Sequence, residues 1–178
     1  MTALVGRPAP WIELDAYRRD ADGAVTLTAG DLRGRWTVLV FYPRDFTFVC
    51  PTELHAFAEL ERDFAEAGAT IVAISTDSYW SHKAWFESHP ALADASYPVA
   101  ADTTQELTRA YGFLAGDGAA LRATVVVDPD GVVRHATVSD QNVGRNPEET
   151  LRIVHALQTG ELCPVGWRPG QPTLRIAA

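Results

Sequence analysis

Two cysteines are the residues of this 178-residue sequence best suited to chemistry. Cys50 lies in the stretch FTFVCPTE, residues 46–53, and Cys163 lies in ELCP, residues 161–164. A cysteine reacts as its thiolate, so either sulfur could be catalytic, redox-cycling or inert. The surroundings of each sulfur therefore decide whether it is reactive.

Cys50 is predicted to lie where a buried strand meets a helix. The run WTVLVFY, residues 36–42, is rich in β-branched and aromatic residues, which is typical of a strand buried on both faces. Apolar residues then recur every three or four positions, which predicts one apolar helix stripe: Leu54, Phe57, Leu60 and Phe64. With Pro51 in the first turn, Cys50 would lie at or just before the helix N-terminus, where backbone N–H groups and the helix dipole favour a thiolate.

The helix alone is too weak to ionise a thiol fully. Moving a free cysteine from a pKa of about 8.5 to about 6 requires roughly 3.4 kcal/mol, whereas a helix terminus supplies roughly 0.3 to 2 kcal/mol. Thr47 offers a hydroxyl one turn before Cys50, but the stretch contains no obvious cation. The remainder must come from an arginine elsewhere in the chain or from further hydrogen-bond donors.

Composition excludes several classes of function. The chain carries 15 basic and 23 acidic residues, a net charge of −8, and no basic cluster, which argues against a nucleic-acid partner. No apolar run is long enough to span a membrane, and the first residues lack the pattern of a signal peptide. We therefore expect a cytoplasmic protein without a membrane segment, in which a structural disulfide would be unusual.

Strand and helix patterns alternate along the chain. The predicted strands are residues 11–14, 25–27, 36–42, 69–75, 98–101, 122–127 and 132–136, with hairpin turns at Asp22-Gly23 and at DPDG, residues 128–131. Further helices are predicted for residues 78–87 and 104–111, and from Pro147, after an Asn146 cap, to about Gln158. These patterns predict an α/β protein with a central mixed sheet flanked by helices. One domain would span residues 1–160, and residues 161–178 would form an extended C-terminal arm.

Each candidate residue also has a structural interpretation. A lone cysteine such as Cys50 is most often a small buried hydrophobe, and only its position at a strand-to-helix junction favours reactivity. Glu53 stands where a dithiol exchange motif would need a second cysteine, so a thioredoxin-type local disulfide cannot form. The five histidines show no ligand spacing with the cysteines, which argues against a zinc site.

The motif Pro43-x-x-x-Thr47-x-x-Cys50 resembles the active-site signature of the peroxiredoxins, specifically the typical two-cysteine group that contains the bacterial alkyl hydroperoxide reductase C subunit. The resemblance extends along nearly the whole chain, through STDS at 75–78, HKAW at 82–85, RAT at 122–124, VGR at 143–145 and ELCP at 161–164. It implies a thioredoxin-like fold and a thiol-dependent peroxidase that reduces hydrogen peroxide and organic hydroperoxides without a bound cofactor or metal.

The resemblance also implies a role for each matching residue. Cys50 would be the peroxidatic cysteine, which becomes a sulfenic acid, and Cys163 the resolving cysteine, which comes from the other subunit of a homodimer and forms an intersubunit disulfide. Thr47 would hydrogen-bond the thiolate and the peroxide, and Pro43 would shield the pocket from water. Arg122 would be the missing cation, held in place by a network that includes the following two residues: Glu53 and Arg145.

Judged by residue type alone, these roles have alternatives. Arg122 could be an exposed salt-bridging residue at the start of a strand, and Glu53 could serve only the helix dipole. Cys163 could be an ordinary tail thiol, although a poorly ordered tail would favour a resolving role. Trp80 and Trp85 fit best as core residues of their helix, with Trp80 at a dimer-dimer contact as the less favoured alternative.

Partners and substrates follow from the resemblance as expectations. The reductant would be a thioredoxin-like protein, a flavoprotein disulfide reductase or an adaptor protein, and dimers would join into a decamer. The chain lacks the Gly-Gly-Leu-Gly and Tyr-Phe segments of oxidation-sensitive members, so we expect slow over-oxidation. Two other functions stay open: a ring-shaped holdase or signalling scaffold, and a thiol-disulfide exchanger, which the missing second motif cysteine disfavours.

Overall fold

The computed structural model describes residues 3–175 and consists of one sheet with helices on both faces. Its seven strands are β1 Leu14–Tyr17, β2 Val25–Leu27, β3 Trp36–Phe41, β4 Ala69–Ser75, β5 Val99–Ala101, β6 Arg122–Val127 and β7 Val133–Ser139. Its α-helices are α1 Cys50–Glu59, α2 Glu61–Glu66, α3 Tyr79–Ser88, α4 Glu106–Ala110 and α5 Pro147–Thr159. Short 3-10 helices span Ala29–Leu32 and Pro90–Leu92.

The sheet is mixed, as predicted. Its strand order is β2-β1-β5-β4-β3-β6-β7. β3 and β4 are parallel neighbours, in register from Trp36 opposite Ala69 to Phe41 opposite Ile74, which confirms the predicted strand-helix-strand unit. β6 pairs antiparallel with both β3 and β7, so the predicted hairpin at residues 128–131 is also confirmed.

β3 lies at the centre of two hydrophobic layers because its side chains alternate between the sheet faces. Val38 and Val40 pack against the layer formed by α1, α2, α3 and α5. Leu39 and Phe41 pack into the opposite layer, with residues from β4, α4 and the following loop. β3 is therefore buried on both faces, as its sequence predicted.

Several element boundaries differ from the sequence prediction. The apolar stripe after Cys50 belongs to two helices, because Leu60 leaves the helical conformation at φ −98° and ψ 3° between α1 and α2. α4 starts only at Glu106, since Gln105 adopts a left-handed φ of 62°. The first strand covers residues 14–17 rather than 11–14. Trp80 was favoured as a core residue and is 73% exposed, whereas Trp85 is buried.

The C-terminal helix follows its capping signals. The Asn146 side chain accepts hydrogen bonds from the backbone N–H groups of Glu148 and Glu149, and Gly160 ends α5 in a left-handed conformation. The tail that follows contains no helix up to residue 175, the last described residue. It folds back on itself through a bridge between Leu162 and Leu174 and buries Trp167. Residues 176–178 of the predicted arm lie outside the described residues, and the division at residue 160 stays a prediction.

Candidate active site

Cys50 is the first residue of α1 and is fully buried. The residue before it, Val49, provides no side-chain cap, and Pro51 occupies the first turn. The first-turn N–H groups of an uncapped helix are partly unsatisfied and carry the positive end of the dipole. The sequence therefore folds locally into a helix start that favours an anion at the Cys50 sulfur.

Arg122 brings a guanidinium to that sulfur from β6, the strand next to β3 in the sheet. It begins β6, whose antiparallel register with β3 carries it past the end of β3, toward the start of α1. Its Nη1 lies 3.3 Å from the Cys50 Sγ, and its Nε donates to the backbone carbonyl of Gln141 at 2.6 Å. Arg122 is 3% exposed, which excludes the alternative of an exposed salt-bridging residue.

Glu53 joins Arg122 to a second arginine. Its carboxylate accepts one hydrogen bond from Arg122 Nη1 at 2.5 Å. It accepts three more from Arg145: from the backbone N at 2.7 Å, from Nε at 2.8 Å and from Nη2 at 3.1 Å. Burial alone would raise the pKa of Glu53, but the hydrogen bonds and charge of Arg145, with the charge of Arg122, outweigh it and lower that pKa.

The charges of this cluster favour an ionised sulfur. Two guanidinium groups and one carboxylate leave a net charge of +1 in a buried site, and a thiolate at Cys50 makes the group neutral. Arg145 is fixed further by hydrogen bonds from its Nη1 to the Ala123 carbonyl at 2.6 Å and to Thr124 Oγ1 at 3.2 Å. The cation that the energy estimate required is thus present, and it is held rigidly.

Pro43 and Thr47 line a pocket of about 240 Å³ beside Cys50 and Arg122. The Thr47 hydroxyl donates its proton to the carbonyl of Arg44 at 2.9 Å, and not to Cys50. A hydroxyl has one proton and two lone pairs. For Thr47 to donate to a thiolate or a peroxide, as the resemblance implied, its proton must first leave the Arg44 carbonyl.

A buried polar network lies behind the loop that carries these residues. Tyr42 Oη donates to Asp45 Oδ1 at 2.7 Å, and His82 Nδ1 lies 2.8 Å from Asp45 Oδ2. Burial, with the charge of Asp45, raises the pKa of Tyr42 well above its usual value, so Tyr42 stays a donor. Phe46, the residue after Asp45, has a φ of 54°, which L-residues rarely adopt.

Sequence reasoning missed this network and the Gln141 carbonyl. Asp45 could have been noted as an acidic residue close to Cys50, but His82 lies on a distant helix, and a backbone carbonyl has no sequence signal. The network anchors the strained turn between β3 and α1, and therefore the position of Thr47 and Cys50.

Cys163 lies apart from the other predicted residues. It is half-buried and not in a disulfide, and its sulfur lies 3.7 Å from the carbonyl of Ala156 and 3.4 Å from Thr159 Oγ1, both in the last turns of α5. The structure thus brings together six of the seven predicted residues and leaves Cys163 at a separate place. Among residues 3–175 there is no cluster of metal-ligating side chains, nor any helix long and apolar enough to cross a membrane.

Comparisons with known proteins agree along the whole chain. The family model described as the AhpC/TSA family matches residues 5–136, and the model described as the C-terminal domain of 1-Cys peroxiredoxin matches residues 155–175, a range that includes Cys163. The chain is 41% identical over 174 residues to alkyl hydroperoxide reductase C of Mycolicibacterium smegmatis, covering 98% of this chain and 88% of that protein. It is 42% identical over 182 residues to peroxiredoxin prdx-2 of Caenorhabditis elegans, covering 97% of this chain and 89% of that protein.

Solved structures show the same likeness. The reduced 2-Cys peroxiredoxin of Plasmodium vivax superposes with a TM-score of 0.91 at 31% identity, covering 96% of this chain and 92% of that one.

Proposed function

We propose, on the premise that the chain belongs to the AhpC/TSA family and is a peroxiredoxin of the alkyl hydroperoxide reductase C type, that Cys50 is its peroxidatic cysteine and Cys163 its resolving cysteine. Its fold is the predicted thioredoxin-like one, and its activity is thiol-dependent reduction of peroxides. The observation that carries the proposal is the contact of 3.3 Å between Arg122 Nη1 and Cys50 Sγ at a buried helix start.

In the first step, the Cys50 thiolate attacks one oxygen of a hydroperoxide ROOH. A sulfur–oxygen bond forms, the O–O bond breaks, and its electron pair leaves on RO⁻, which takes a proton and departs as ROH. Cys50 is left as a sulfenic acid. Arg122 supports this step because its guanidinium lies where negative charge moves from sulfur to the leaving oxygen.

In the second step, the Cys163 thiolate attacks the sulfenic sulfur of Cys50; a sulfur–sulfur bond forms, the sulfur–oxygen bond breaks, and the hydroxide that leaves takes up a proton and becomes water. Within one protomer the two cysteines lie near opposite ends of α5: Arg145, just before the helix, bonds Glu53, whereas Cys163 contacts Ala156. A helix of 13 residues is about 20 Å long, and a disulfide requires Cα atoms roughly 4.4 to 6.8 Å apart. This separation supports a disulfide between Cys50 of one protomer and Cys163 of another.

The peroxidatic role is tested by stopped-flow measurement of peroxide consumption. We expect Cys50→Ser to abolish the reaction, because a hydroxyl there is neither ionised nor oxidised by peroxide. Cys163→Ser is the matched control, and it should still react once with peroxide but fail to turn over with a dithiol reductant. Peroxidase activity in Cys50→Ser would refute the proposal.

The resolving role has a separate readout. After one equivalent of peroxide, non-reducing electrophoresis of the wild-type protein should show a covalent dimer, which Cys163→Ser should not form. A mixture of Cys50→Ser and Cys163→Ser protomers should restore the covalent dimer, since each supplies the cysteine that the other lacks. An oxidised wild-type protein that runs as a monomer would contradict pairing between subunits.

The proposal includes a thiol reductant protein, a homodimer that assembles into a decamer, and a cytoplasmic location. One relative, from Homo sapiens, is named a thioredoxin-dependent peroxide reductase and is 43% identical over 157 residues. This favours a thioredoxin-like donor over a flavoprotein disulfide reductase. A screen of both donors with purified protein, following peroxide consumption, decides between them, and turnover with neither would favour the holdase or scaffold alternative.

A further inference from the structure

A carboxylate from the neighbouring strand binds the backbone of the turn between β3 and α1. Asp77 follows the end of β4, and β3 and β4 are parallel neighbours, so their C-terminal ends lie at the same edge of the sheet. There Asp77 Oδ2 accepts a hydrogen bond from the backbone N–H of Asp45 at 2.8 Å. Ser75 Oγ donates to the same oxygen at 3.0 Å and accepts from the backbone N–H of Asp77 at 3.0 Å, which fixes the position of this carboxylate.

The N–H group that Asp77 binds belongs to the peptide unit between Arg44 and Asp45. A trans peptide unit is planar, and its N–H and C=O groups point in opposite directions. The described residues contain no cis peptide bond, so fixing the Asp45 N–H also fixes the Arg44 carbonyl. That carbonyl accepts the hydroxyl proton of Thr47 at 2.9 Å. Asp77 therefore orients the acceptor of the Thr47 proton across a single peptide unit.

The side chain of Asp45 holds the same peptide unit from its other end. Tyr42 Oη donates to Asp45 Oδ1 at 2.7 Å, and His82 Nδ1 lies 2.8 Å from Asp45 Oδ2. Asp45 and His82 are both buried. Because the carboxylate and the N–H of Asp45 are both bound, rotation of the peptide unit would break a buried hydrogen bond.

The bond to the Arg44 carbonyl decides what Thr47 offers to a substrate. A hydroxyl has one proton and two lone pairs; the proton of Thr47 is donated to Arg44, and no described residue donates to its oxygen. Thr47 lines the pocket together with Cys50 and Arg122. A hydroperoxide ROOH carries one O–H group, on its terminal oxygen, and this donor needs an acceptor when it leaves water. The Thr47 oxygen is such an acceptor.

We propose that Asp77 is a positioning residue for the peroxide step. It orients the peptide unit between Arg44 and Asp45, and thereby fixes Thr47 as a hydrogen-bond acceptor for the terminal O–H of the hydroperoxide. The inference rests on the proposed function of Cys50 as the peroxidatic cysteine. Thr47 then keeps its own proton throughout the step.

This arrangement selects which oxygen of the hydroperoxide is attacked. The terminal oxygen, held by its O–H at Thr47, forms the new bond to the Cys50 sulfur and keeps its proton, so the product is the sulfenic acid. The O–O bond breaks, and the electron pair leaves with the other oxygen as RO⁻, which takes up a proton from water. Arg122 can only donate hydrogen bonds, so its guanidinium suits that leaving oxygen.

Asp77→Ala tests the proposal in stopped-flow measurements of Cys50 oxidation by excess hydrogen peroxide. The Asp45 N–H loses its acceptor, so the peptide unit can rotate and the Thr47 proton loses its fixed partner. We expect the second-order rate constant to fall by about 5-fold or more, the scale of one lost hydrogen bond. Asp77→Asn keeps an oxygen that can accept from the Asp45 N–H, and it should retain most of the wild-type rate constant.

A double-mutant cycle shows whether Asp77 acts through the Thr47 hydroxyl. In a Thr47→Val background there is no hydroxyl proton to orient, so adding Asp77→Ala should change the rate constant by less than about 2-fold. A purely structural role would produce the same loss in both backgrounds. Equal losses, or a wild-type rate constant in Asp77→Ala, would overturn the proposal.

Asp128→Ala is the matched control. The Asp128 carboxylate also accepts from backbone N–H groups, those of Asp130 and Val132, but it lies just beyond the opposite end of β6 from Arg122. This variant should lower Tm and leave the rate constant unchanged. A rate constant that falls as much as in Asp77→Ala would show that loss of stability alone explains the effect, and would refute the proposal.

Tyr42→Phe keeps the proposal testable if Asp77→Ala does not fold, because it removes only the hydroxyl that binds Asp45. We expect a loss of about 3-fold, which should disappear in the Thr47→Val background; an unchanged rate constant would then overturn the proposal. The inference and the proposed function fail separately. If Cys50→Ser abolishes peroxide consumption but Asp77→Ala reacts like the wild type, only the role of Asp77 is refuted, whereas a wild-type protein that consumes no peroxide refutes both.

Discussion

Replacing Glu53 by Gln tests whether the buried charge cluster holds both the fold and the nucleophile. The carboxylate accepts four hydrogen bonds, two on each oxygen: Arg145 N and Nε on Oε1, and Arg122 Nη1 and Arg145 Nη2 on Oε2. A glutamine keeps the shape but presents an NH₂ group to one of these pairs of donors. Two hydrogen bonds are lost, and the two buried guanidinium groups lose the negative charge of the carboxylate that lies between them.

The cost can be estimated. Removing one partner of a buried ion pair destabilises a protein by about 3 to 5 kcal/mol. For a domain of this size, each kcal/mol lowers Tm by about 2 to 4 °C, so Glu53→Gln should lower Tm by roughly 6 to 20 °C. Glu59→Gln, on the same helix but with its side chain 66% exposed, is the matched control and should change stability by less than about 0.5 kcal/mol.

The pH dependence provides a sharper test. The pKa of Glu53 in the folded protein lies below its usual value of 4.5, so its stabilisation is fully present above that value and is lost as the pH falls through the folded pKa. The difference in unfolding free energy between wild type and Glu53→Gln should be large at pH 7 and should shrink below pH 4.5. Urea unfolding of both proteins at pH 7 and below pH 4.5 measures this difference in unfolding free energy. A Tm equal to that of Glu59→Gln, or a difference that does not change with pH, would refute the reasoning.

Three further predictions concern single residues. Arg122→Lys should slow peroxide reduction by about 10-fold or more in stopped-flow assays, because an ammonium cannot bridge Cys50, Glu53 and the Gln141 carbonyl together; wild-type kinetics would contradict the role of the guanidinium. Thr47→Val should lower the rate, whereas Thr47→Ser, which keeps the hydroxyl, should retain most of it; equal losses would show that shape matters and the hydroxyl does not. Over-oxidation of Cys50 to a sulfinic acid should be slow, and mass spectrometry that detects it at low peroxide excess would count against this expectation.

Much of the fold could be predicted because its signals are local. The buried character of β3, the turn at residues 128–131 and the Asn146 and Gly160 caps each depend on a few adjacent residues, and the structure confirms them. The break at Leu60 and the left-handed Gln105 have no such signal. At Gln105 the side chain hydrogen-bonds the Gly118 carbonyl, 13 positions further along the chain, and the local sequence does not indicate such a contact.

The site could be predicted only in part. The energy estimate showed that Cys50 needs a cation, but the sequence alone could not say which arginine, since Arg122 lies 72 positions from Cys50. The resemblance to a family indicated that this arginine is Arg122. The contact between Tyr42, Asp45 and His82 was missed for the same reason, because the sheet and α3 bring these residues together only in the folded chain.

The charge cluster also bears on the second half of the proposed cycle. With a Cys50 thiolate, the two arginines and Glu53 form a neutral group, but a sulfenic acid at Cys50 is neutral and leaves the group with a net charge of +1. Arg122 is then again without an anion at 3.3 Å from the sulfur. An uncompensated buried charge is costly, so oxidation of Cys50 makes the site attract an anion. A Cys163 thiolate that approaches the site is such an anion. The same arginine thus favours both the attack on peroxide and the attack that resolves the product.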